Sequence, residues 1–393
     1  MSTFDEKNAL IRMAFTHLTW AMDNSHQSVY DEQKDPGLTD LVEIYSNLLP
    51  LMRKQIDALL STFETIDFEN GPVPELSLFP TVAALQHTIE RTSVAVFSIT
   101  LRPDQPALTE DRDCKIFKLF RCKRLLSDTY DLQCLLHYFL ERCRDLVQGT
   151  APDHQPIVED TGSEEKEDWQ CAVKKEMKFQ ATRCTVHIDG MVKRFKRSDL
   201  GLIQESWEET IDDLSFTISA LQNGFPEREP YVPRDPDVTA MMRTVIALYK
   251  VFRVFYRKLS NYSTNKLPFA LKEVSSDDME LIIYKTRPPL DFTDDFLDQA
   301  TVIYQQNRIE GSEIMLSRQI VRAIRRDFQE GLDCLKSYLV TRNQLAHSES
   351  PPQFDFDAYF RDVVNQFHST LDNFLNIVDG PNQMILENSS YGW

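Results

Sequence analysis

Apolar side chains recur at steps of three and four residues through most of the chain. This spacing gathers them on one face of an α-helix, and no stretch sustains the period of two that is typical of a half-buried strand. Glycine, which often interrupts helices, makes up only 11 of 393 residues. The pattern predicts helices over 3–23, 38–66, 79–99, 113–148, 165–197, 200–222, 237–260, 276–286, 292–308, 311–345 and 355–378.

The predicted fold class is therefore all-α: up-and-down helical bundles, about ten or eleven helices and no significant sheet. Two stretches break the pattern, the acidic, Gly- and Pro-containing segment 149–168 and the four-proline segment 225–236. Taking the first as the linker between domains, we predict the following organisation: an N-terminal bundle over 1–148, a linker over 149–168, a C-terminal bundle over 169–379 and a flexible tail over 380–393.

The charge balance limits the classes of partner. With 43 Lys and Arg against 61 Asp and Glu, the formal net charge is −18. Such a surface repels phosphate, so we expect no general binding to nucleic acid or to an anionic membrane, although local basic patches remain compatible with it. No stretch approaches the ~18 consecutive apolar residues of a membrane span, and the first residues lack the pattern of a secretory signal. The expected compartment is the cytoplasm or nucleus, or the host cytoplasm if a secreted effector has lost its signal.

Familiar catalytic and metal-binding motifs are missing from the sequence. It contains no phosphate-binding glycine loop, no H-E-x-x-H, no G-x-S-x-G and no EF-hand loop, so no cofactor or metal is expected. The seven cysteines include no Cys-x-x-Cys pair, which disfavours zinc, and their odd number in a long chain does not resemble a disulfide framework. We predict reduced, partly buried thiols, with a redox role as the alternative.

One predicted helix departs from the acidic character of the chain. Residues 171–197 include eight basic residues but only two acidic ones, Glu176 and Asp189. Apolar residues such as Phe179 and Val186 lie between the basic residues. The basic residues are Lys174, Lys175, Lys178, Arg183, Lys193, Arg194, Lys196 and Arg197. Either the acidic linker neutralises them within the molecule, or they form a surface for a partner or nucleic acid.

A second basic stripe lies further along the chain. Arg318, Arg322 and Arg325 fall on one helical face, with Arg326 beside them. Asp327 and Glu330 follow closely and are expected to neutralise part of the stripe. We interpret it as a solvated helix face, in the same way as the acidic pairs Glu208-Glu209 and Asp212-Asp213.

An aromatic and basic stretch, YKVFRVFYRKL at 249–259, is a candidate partner surface. Its aromatic residues exceed what one core-facing stripe requires, and aromatic residues beside arginine are common anchors of protein interfaces. The candidate partner-binding residues are Phe252, Arg253, Phe255, Tyr256 and Arg257. The alternative is that these rings are buried between helices.

The segment TRNQLAHSE at 341–349 contains Arg342, Asn343 and His347 in the order R-N-x-x-x-H. It resembles the R-[ND]-x-x-x-H signature of HEPN-domain proteins, small helical domains that include metal-independent ribonucleases. The resemblance implies that His347 transfers protons at a ribose 2′-hydroxyl, that Arg342 holds the phosphate and that Asn343 orients them, with a second protomer completing the site. Side chains five positions apart on a continuous helix point about 140° from each other, so such a site requires the helix to end or bend.

From SWEETIDDLSFTISALQ at 206–222 through the last predicted helices, the order and length of segments resemble the GCIP family of cyclin-D-binding helical proteins. The texture is also similar to lineage-expanded helical proteins of rust fungi, some of which act as effectors. Together, the sequence favours a non-enzymatic protein that presents helix faces to another protein. The alternatives are a HEPN-like ribonuclease and a pathogen effector that binds a host protein.

Overall fold

A computed structural model of the chain describes residues 38–65, 75–100, 107–148, 169–224, 235–260, 268–309, 311–341 and 354–389. The all-α prediction is confirmed. The helices are α1 (Leu38–Glu43), α2 (Leu49–Thr65), α3 (Glu75–Thr100), α4 (Leu119–Gln148), α5 (Trp169–Phe195), α6 (Asp199–Gly224), α7 (Pro236–Ser260), α8 (Ser276–Thr286), α9 (Pro288–Gln306), α10 (Gly311–Tyr338) and α11 (Phe356–Ser389). A π-helical segment, Ile44–Leu48, joins α1 to α2, and a 3₁₀ turn, Arg112–Phe117, precedes α4.

Among the described residues, β-structure is limited to one short antiparallel pair of strands. It joins β1 (Phe269–Leu271) to β2 (Leu339–Thr341), with Ala270 opposite Val340. None of the described helices is long and apolar enough to cross a membrane. All seven cysteines fall within the described ranges and are free thiols, of which Cys122, Cys143 and Cys184 are buried and Cys171 is exposed.

The chain divides into two compact units, Met1–Lys196 and Arg197–Trp393. In the first unit, α2 packs on α3, α3 on α4, α4 on α5, and α5 returns to α2. These four helices therefore enclose a core in the manner of a four-helix bundle. Each of the four helices contributes fully buried side chains to this core, for example Ile56, Leu85, Phe139 and Met177.

The boundary between the units differs from the predicted one. The segment 149–168, which we predicted to separate two domains, lies outside the described residues. The helix that follows it, α5, packs on α2 and α4 of the first unit, and the units meet between Lys196 and Arg197. The apolar stripe of α5 shows that the helix has a buried face, but a stripe does not identify the helices that cover it.

In the second unit α7 occupies a central position. It packs against α6, α9 and α11, while α10 packs against α8, α9 and α11. Burial of α7 on several sides matches its sequence, in which apolar residues extend over more than one narrow stripe. The core here is aromatic, and the Phe328 and Phe367 rings lie 4.0 Å apart between their centroids.

The junction between α8 and α10 is unusually close. At the start of α8, Ser275 caps the helix, because its hydroxyl accepts from the Asp278 backbone N–H while the Asp278 carboxylate accepts from the Ser275 N–H.

Near the other end of α8, where α8 approaches α10, a Cβ atom added to Gly331 of α10 would lie 2.7 Å from the Lys285 carbonyl oxygen. Glycine at position 331 therefore allows the two backbones to approach each other.

Three predicted helices have different outcomes from those expected. The predicted helix 3–23 lies outside the described residues. Helix α10 ends at Tyr338 rather than at 345, because Leu339–Thr341 pair with β1 instead of continuing the helical hydrogen bonds. Helix α11 continues to Ser389, past the expected end at Val378 and into the predicted flexible tail, since glycine at position 380 permits a helical turn as well as a stop.

Candidate functional site

The solvent-facing side of α5 presents an apolar and cationic surface. We call it the α5 outer face and define it by Lys175, Lys178, Phe179, Thr182, Arg183, Val186 and Lys193. These residues are all exposed, and their steps of three, four and seven place them on one side of the helix. The opposite side of α5 packs on α2 and α4, so the outer face is the side that those neighbours leave open.

Two apolar side chains lie at the centre of this face. Phe179 is 56% exposed and Val186 is 65% exposed. They are separated by two helical turns, about 10 Å along the axis, which is the spacing of two anchors on one line. Single exposed apolar residues are ordinary on protein surfaces, but an aligned aromatic and aliphatic pair offers a contact line to a partner helix.

Most of the charged residues around these anchors are cations, although Glu176 and Asp189 are also exposed and Asp189 pairs with Arg53. The Arg183 guanidinium carbon lies 5.7 Å from the centroid of the Phe179 ring, within range of a cation–π contact. Lys178 Nζ lies 3.6 Å from the Glu64 carboxylate, and both side chains remain more than half exposed. At that exposure the ion pair is weak and leaves Lys178 accessible to another carboxylate.

The other predicted basic residues of this region are divided between solvent and the interior of their units. Lys174 is half-buried, and Lys196 is exposed. Arg194 donates from Nε to the Asp128 carboxylate at 2.9 Å, while Arg197, with a side chain 7% exposed, lies 3.5 Å from Glu205. Arg194 and Arg197 are therefore held by acidic residues other than those of the linker, which lies outside the described residues.

Asp128 forms the polar centre of the first unit. Arg194 and Arg124 both contact its carboxylate, and its backbone carbonyl lies 2.8 Å from His187 Nε2. Burial nevertheless raises the pKa of the Asp128 carboxyl, with the arginines opposing the shift. Burial, together with the Asp128 charge, also raises the pKa of Tyr45, whose ring stacks on Phe195 with centroids 4.0 Å apart.

The structure contradicts the prediction that the aromatic residues of 249–259 form a partner surface. Phe252, Phe255 and Tyr256 are at most 2% exposed. The Phe255 ring lies 5.1 Å from Phe328 and 5.6 Å from Phe360, measured between centroids, so these rings pack inside the second unit. They are core side chains because α7 is covered by three other helices. Arg253 is half-buried and Arg257 is exposed.

The second basic stripe is matched by acidic residues of the neighbouring helix. Arg318 on α10 lies 2.9 Å from Asp379 on α11, and Arg325 pairs with Asp372. Arg326 contacts Asp327 at 2.9 Å, as predicted. Glu330 forms its ion pair with Lys285 on α8 at 2.8 Å. The hydrogen bond to Asp327 is the main cause that raises the pKa of Arg326, and the Glu330 charge adds to it. Arg318 and Arg325 therefore join α10 to α11, whereas Arg322 is exposed.

The R-N-x-x-x-H residues Arg342, Asn343 and His347 lie outside the described residues. The structure does fix what precedes them: α10 ends at Tyr338 and Leu339–Thr341 are extended. Within the described part of the chain, no group of three or more His, Cys, Asp or Glu residues is placed to hold a metal ion.

A polar recess of about 770 Å³ lies along α11 and α7. Its lining includes His368, Asn365, Ser369 and Asn373 of α11 and Thr244 of α7. Burial, helped by Arg325, lowers the pKa of His368, while Asp372 opposes the shift, so the neutral form of the imidazole is favoured. Most of the α11 lining is exposed, and the recess lacks the enclosed apolar walls that usually accompany a small-molecule site.

One surface was not recognised from the sequence. On α6, Phe216 is 77% exposed, one turn after the exposed carboxylates of Asp212 and Asp213. With Ser219 and Ala220 these residues form what we call the α6 outer face, an acidic surface with one aromatic side chain. The acidic pair was visible in the sequence, but the helical register that leaves Phe216 uncovered depends on packing.

Comparison with protein-family models supports the division into two units. Residues 39–196 match a Domain of unknown function (DUF8723), and residues 198–376 match a Domain of unknown function (DUF8721). The two matches meet where the compact units meet, which is between Lys196 and Arg197. No curated protein and no solved structure matches the chain. Neither family has a known function, so the functional argument depends on the surfaces described above.

Proposed function

We propose that the protein is a non-enzymatic protein-binding protein, and that its α5 outer face binds an acidic amphipathic helix of a partner. The observation that carries the proposal is the exposure of Phe179 and Val186 on one line of α5 with cations on both sides. A helix presents its own anchors at a spacing of three, four or seven residues, which is the spacing available here.

The apolar anchors supply part of the binding free energy. Burying a Phe or Val side chain completely contributes about 1.5 to 3 kcal/mol, and the exposed halves of Phe179 and Val186 contribute about half of that each. Association also costs translational and rotational freedom, so anchors of this size support a weak and reversible complex. Weak, reversible complexes are common in regulation, which is the role that the GCIP-like resemblance implies.

The cations select the sign of the partner. Lys178, Arg183 and Lys193 lie around the anchors, so carboxylates on both sides of a partner's apolar stripe would be attracted. Because these charges are exposed, salt screens them beyond about 10 Å at 0.1 M ionic strength, and binding should weaken as salt is added. The same surface would repel a basic partner.

A pulldown with matched variants tests the proposal. Phe179→Asp with Val186→Asp places two carboxylates among the anchors, whereas Val94→Asp alters an exposed apolar residue on α3 of the same unit, 48% exposed. We expect wild type and Val94→Asp to recover the same acidic protein in equal amounts, and the double variant to lose it. The purified partner should bind wild type again. Equal recovery of every protein by all three forms would exclude the α5 outer face as the binding surface.

The source of the partner separates the two forms of this proposal. The GCIP-like form predicts a cell-cycle or transcription regulator from the protein's own cell. The effector form predicts a protein of a host. Both forms use the same surface, so the α5 variants apply to each.

A further inference from the structure

The α5 and α6 outer faces are complementary. The α5 outer face places Phe179 and Val186 among Lys178, Arg183 and Lys193, whereas the α6 outer face places Phe216 beside two exposed carboxylates. Each face is a solvent-exposed helical stripe with at least one large apolar side chain. Their charges are opposite, which is the condition for favourable docking of one on the other.

The large apolar side chains of both faces are exposed on their own units. Phe179 and Val186 of the first unit are 56% and 65% exposed, and Phe216 of the second unit is 77% exposed. A single copy therefore presents both a cationic and an acidic stripe to solvent. A second copy carries the matching stripe for each.

We propose that the α5 outer face binds the α6 outer face of a second copy of this chain. The inference depends on the proposed function, since it names the acidic amphipathic helix that the α5 outer face receives. Asp212 and Asp213 of one copy pair with Lys178 and Arg183 of the other, and Phe216 packs against the line between Phe179 and Val186. If the contact is reciprocal, two copies bury both pairs of stripes and the assembly closes as a dimer.

The charge of the whole chain sets the strength of this contact. Two copies that each carry −18 repel each other at long range, so local attraction has to overcome a general repulsion. Helix-on-helix contacts of this kind bury less than about 1,200 Å², the range of transient complexes. Self-association should therefore be weak and should be measured at high protein concentration.

Sedimentation velocity of the full chain, from about 10 µM to a few hundred µM, tests the proposal, since weak contacts dissociate at lower concentrations. Wild type is expected to shift from monomer towards dimer. Two reversed variants are compared with it: Lys178→Glu with Arg183→Glu on α5, and Asp212→Lys with Asp213→Lys on α6. Lys250→Glu with Arg257→Glu, at exposed positions of α7, makes the same change in net charge as the first variant and is its control.

Each reversed variant alone should be monomeric, because both of its stripes then carry the same sign. An equimolar mixture of the two should regain the dimer. The α5 variant has two acidic stripes and the α6 variant has two basic stripes, so each stripe of one variant meets a stripe of opposite charge on the other. Circular dichroism confirms that each variant is folded. Phe216→Ser, which changes no charge, should weaken the dimer at least several-fold and supplies a second test if a reversed variant does not fold.

Three outcomes would overturn the proposal. Wild type could stay monomeric at every concentration, the dimer could persist in both reversed variants, or the mixture of the two folded variants could stay monomeric. These outcomes are distinct from failure of the proposed function. If the chain is monomeric but the pulldown still finds an acidic partner lost in the Phe179 and Val186 double variant, self-association is excluded and protein binding by the α5 outer face stands.

Discussion

The indole Nε1 of Trp207 donates a hydrogen bond to the Thr286 hydroxyl oxygen at 2.9 Å. Both side chains are buried, and Thr286 also accepts from the Tyr256 hydroxyl through its backbone carbonyl. This residue therefore joins α6, α7 and α8 at the end of α8. The Thr286 hydroxyl donates in turn to the Ile282 carbonyl, so its hydrogen-bonding capacity is used from several sides.

Thr286→Val should destabilise the second unit. The valine keeps the side-chain shape but removes the acceptor, which leaves the buried Trp207 N–H unsatisfied and costs about 1 to 3 kcal/mol. Urea unfolding followed by circular dichroism measures the change. Thr301→Val is the control, because the Thr301 hydroxyl bonds only within its own helix, to the Leu297 carbonyl at 2.7 Å. A Thr286 variant no less stable than this control would contradict the assigned role.

Gly331→Ala should also destabilise the second unit, against the ordinary effect of this substitution. Alanine is the better helix former by about 1 kcal/mol, so the change would stabilise an unconstrained helix. At this position the new Cβ would lie 2.7 Å from the Lys285 carbonyl oxygen, and α8 or α10 would have to move.

Gly224→Ala is the matched control for the glycine prediction. A Cβ atom there meets nothing within 4 Å, so the substitution is expected to be neutral or mildly stabilising. Both variants can be compared by urea midpoint. If Gly331→Ala were as stable as Gly224→Ala, the close approach of α8 to α10 would not be present in solution.

The Asp128 carboxyl should make the stability of the first unit depend on pH. Burial raises its pKa in the folded chain above the value of 3.8 for an unperturbed carboxyl. Between those two pKa values the folded state binds more protons than the unfolded state, so the contribution of this group to stability falls as pH rises. It is largest below the unfolded pKa.

Comparison with Asp128→Asn isolates this contribution from those of other carboxyls. The free energy of unfolding of wild type minus that of the variant should decrease as pH rises from about 3.5 through the folded pKa, and then level off. Urea unfolding at a series of pH values gives the difference. A difference that increased with pH would mean that Arg194 and Arg124 stabilise the carboxylate by more than burial destabilises it.

Features that depend on residues within one helical turn could be predicted from the sequence, but the helices that cover a given helix could not. The cap at Ser275 could be predicted because it depends on residues within one turn. Phe179 and Phe255 could not be distinguished, since each lies among basic residues on an amphipathic helix. Their exposure differs because α5 lies in a ring of four helices that leaves its outer side open, whereas α7 is covered by three helices.

The catalytic alternative has a similar explanation. Sequence spacing identified Arg342 and His347, but whether their side chains meet depends on tertiary structure beyond the helix that precedes them. Helix α10 ends at Tyr338 and Leu339–Thr341 pair with β1, so the predicted helix to 345 is interrupted before Arg342, which lies outside the described residues. Pairing with β1 was not predictable, since the strand partner lies about seventy residues earlier in the chain.

A non-enzymatic protein should leave RNA intact, and this expectation separates the proposed function from the HEPN-like one. Purified full-length chain, incubated with single-stranded RNA and EDTA, is expected to give no cleavage above that of a mock preparation. His347→Ala and Arg342→Ala serve as controls, because contaminating nuclease would act equally in all three samples. Cleavage by wild type that both variants lose, with unchanged circular dichroism, would show that Arg342 and His347 act together on a phosphodiester.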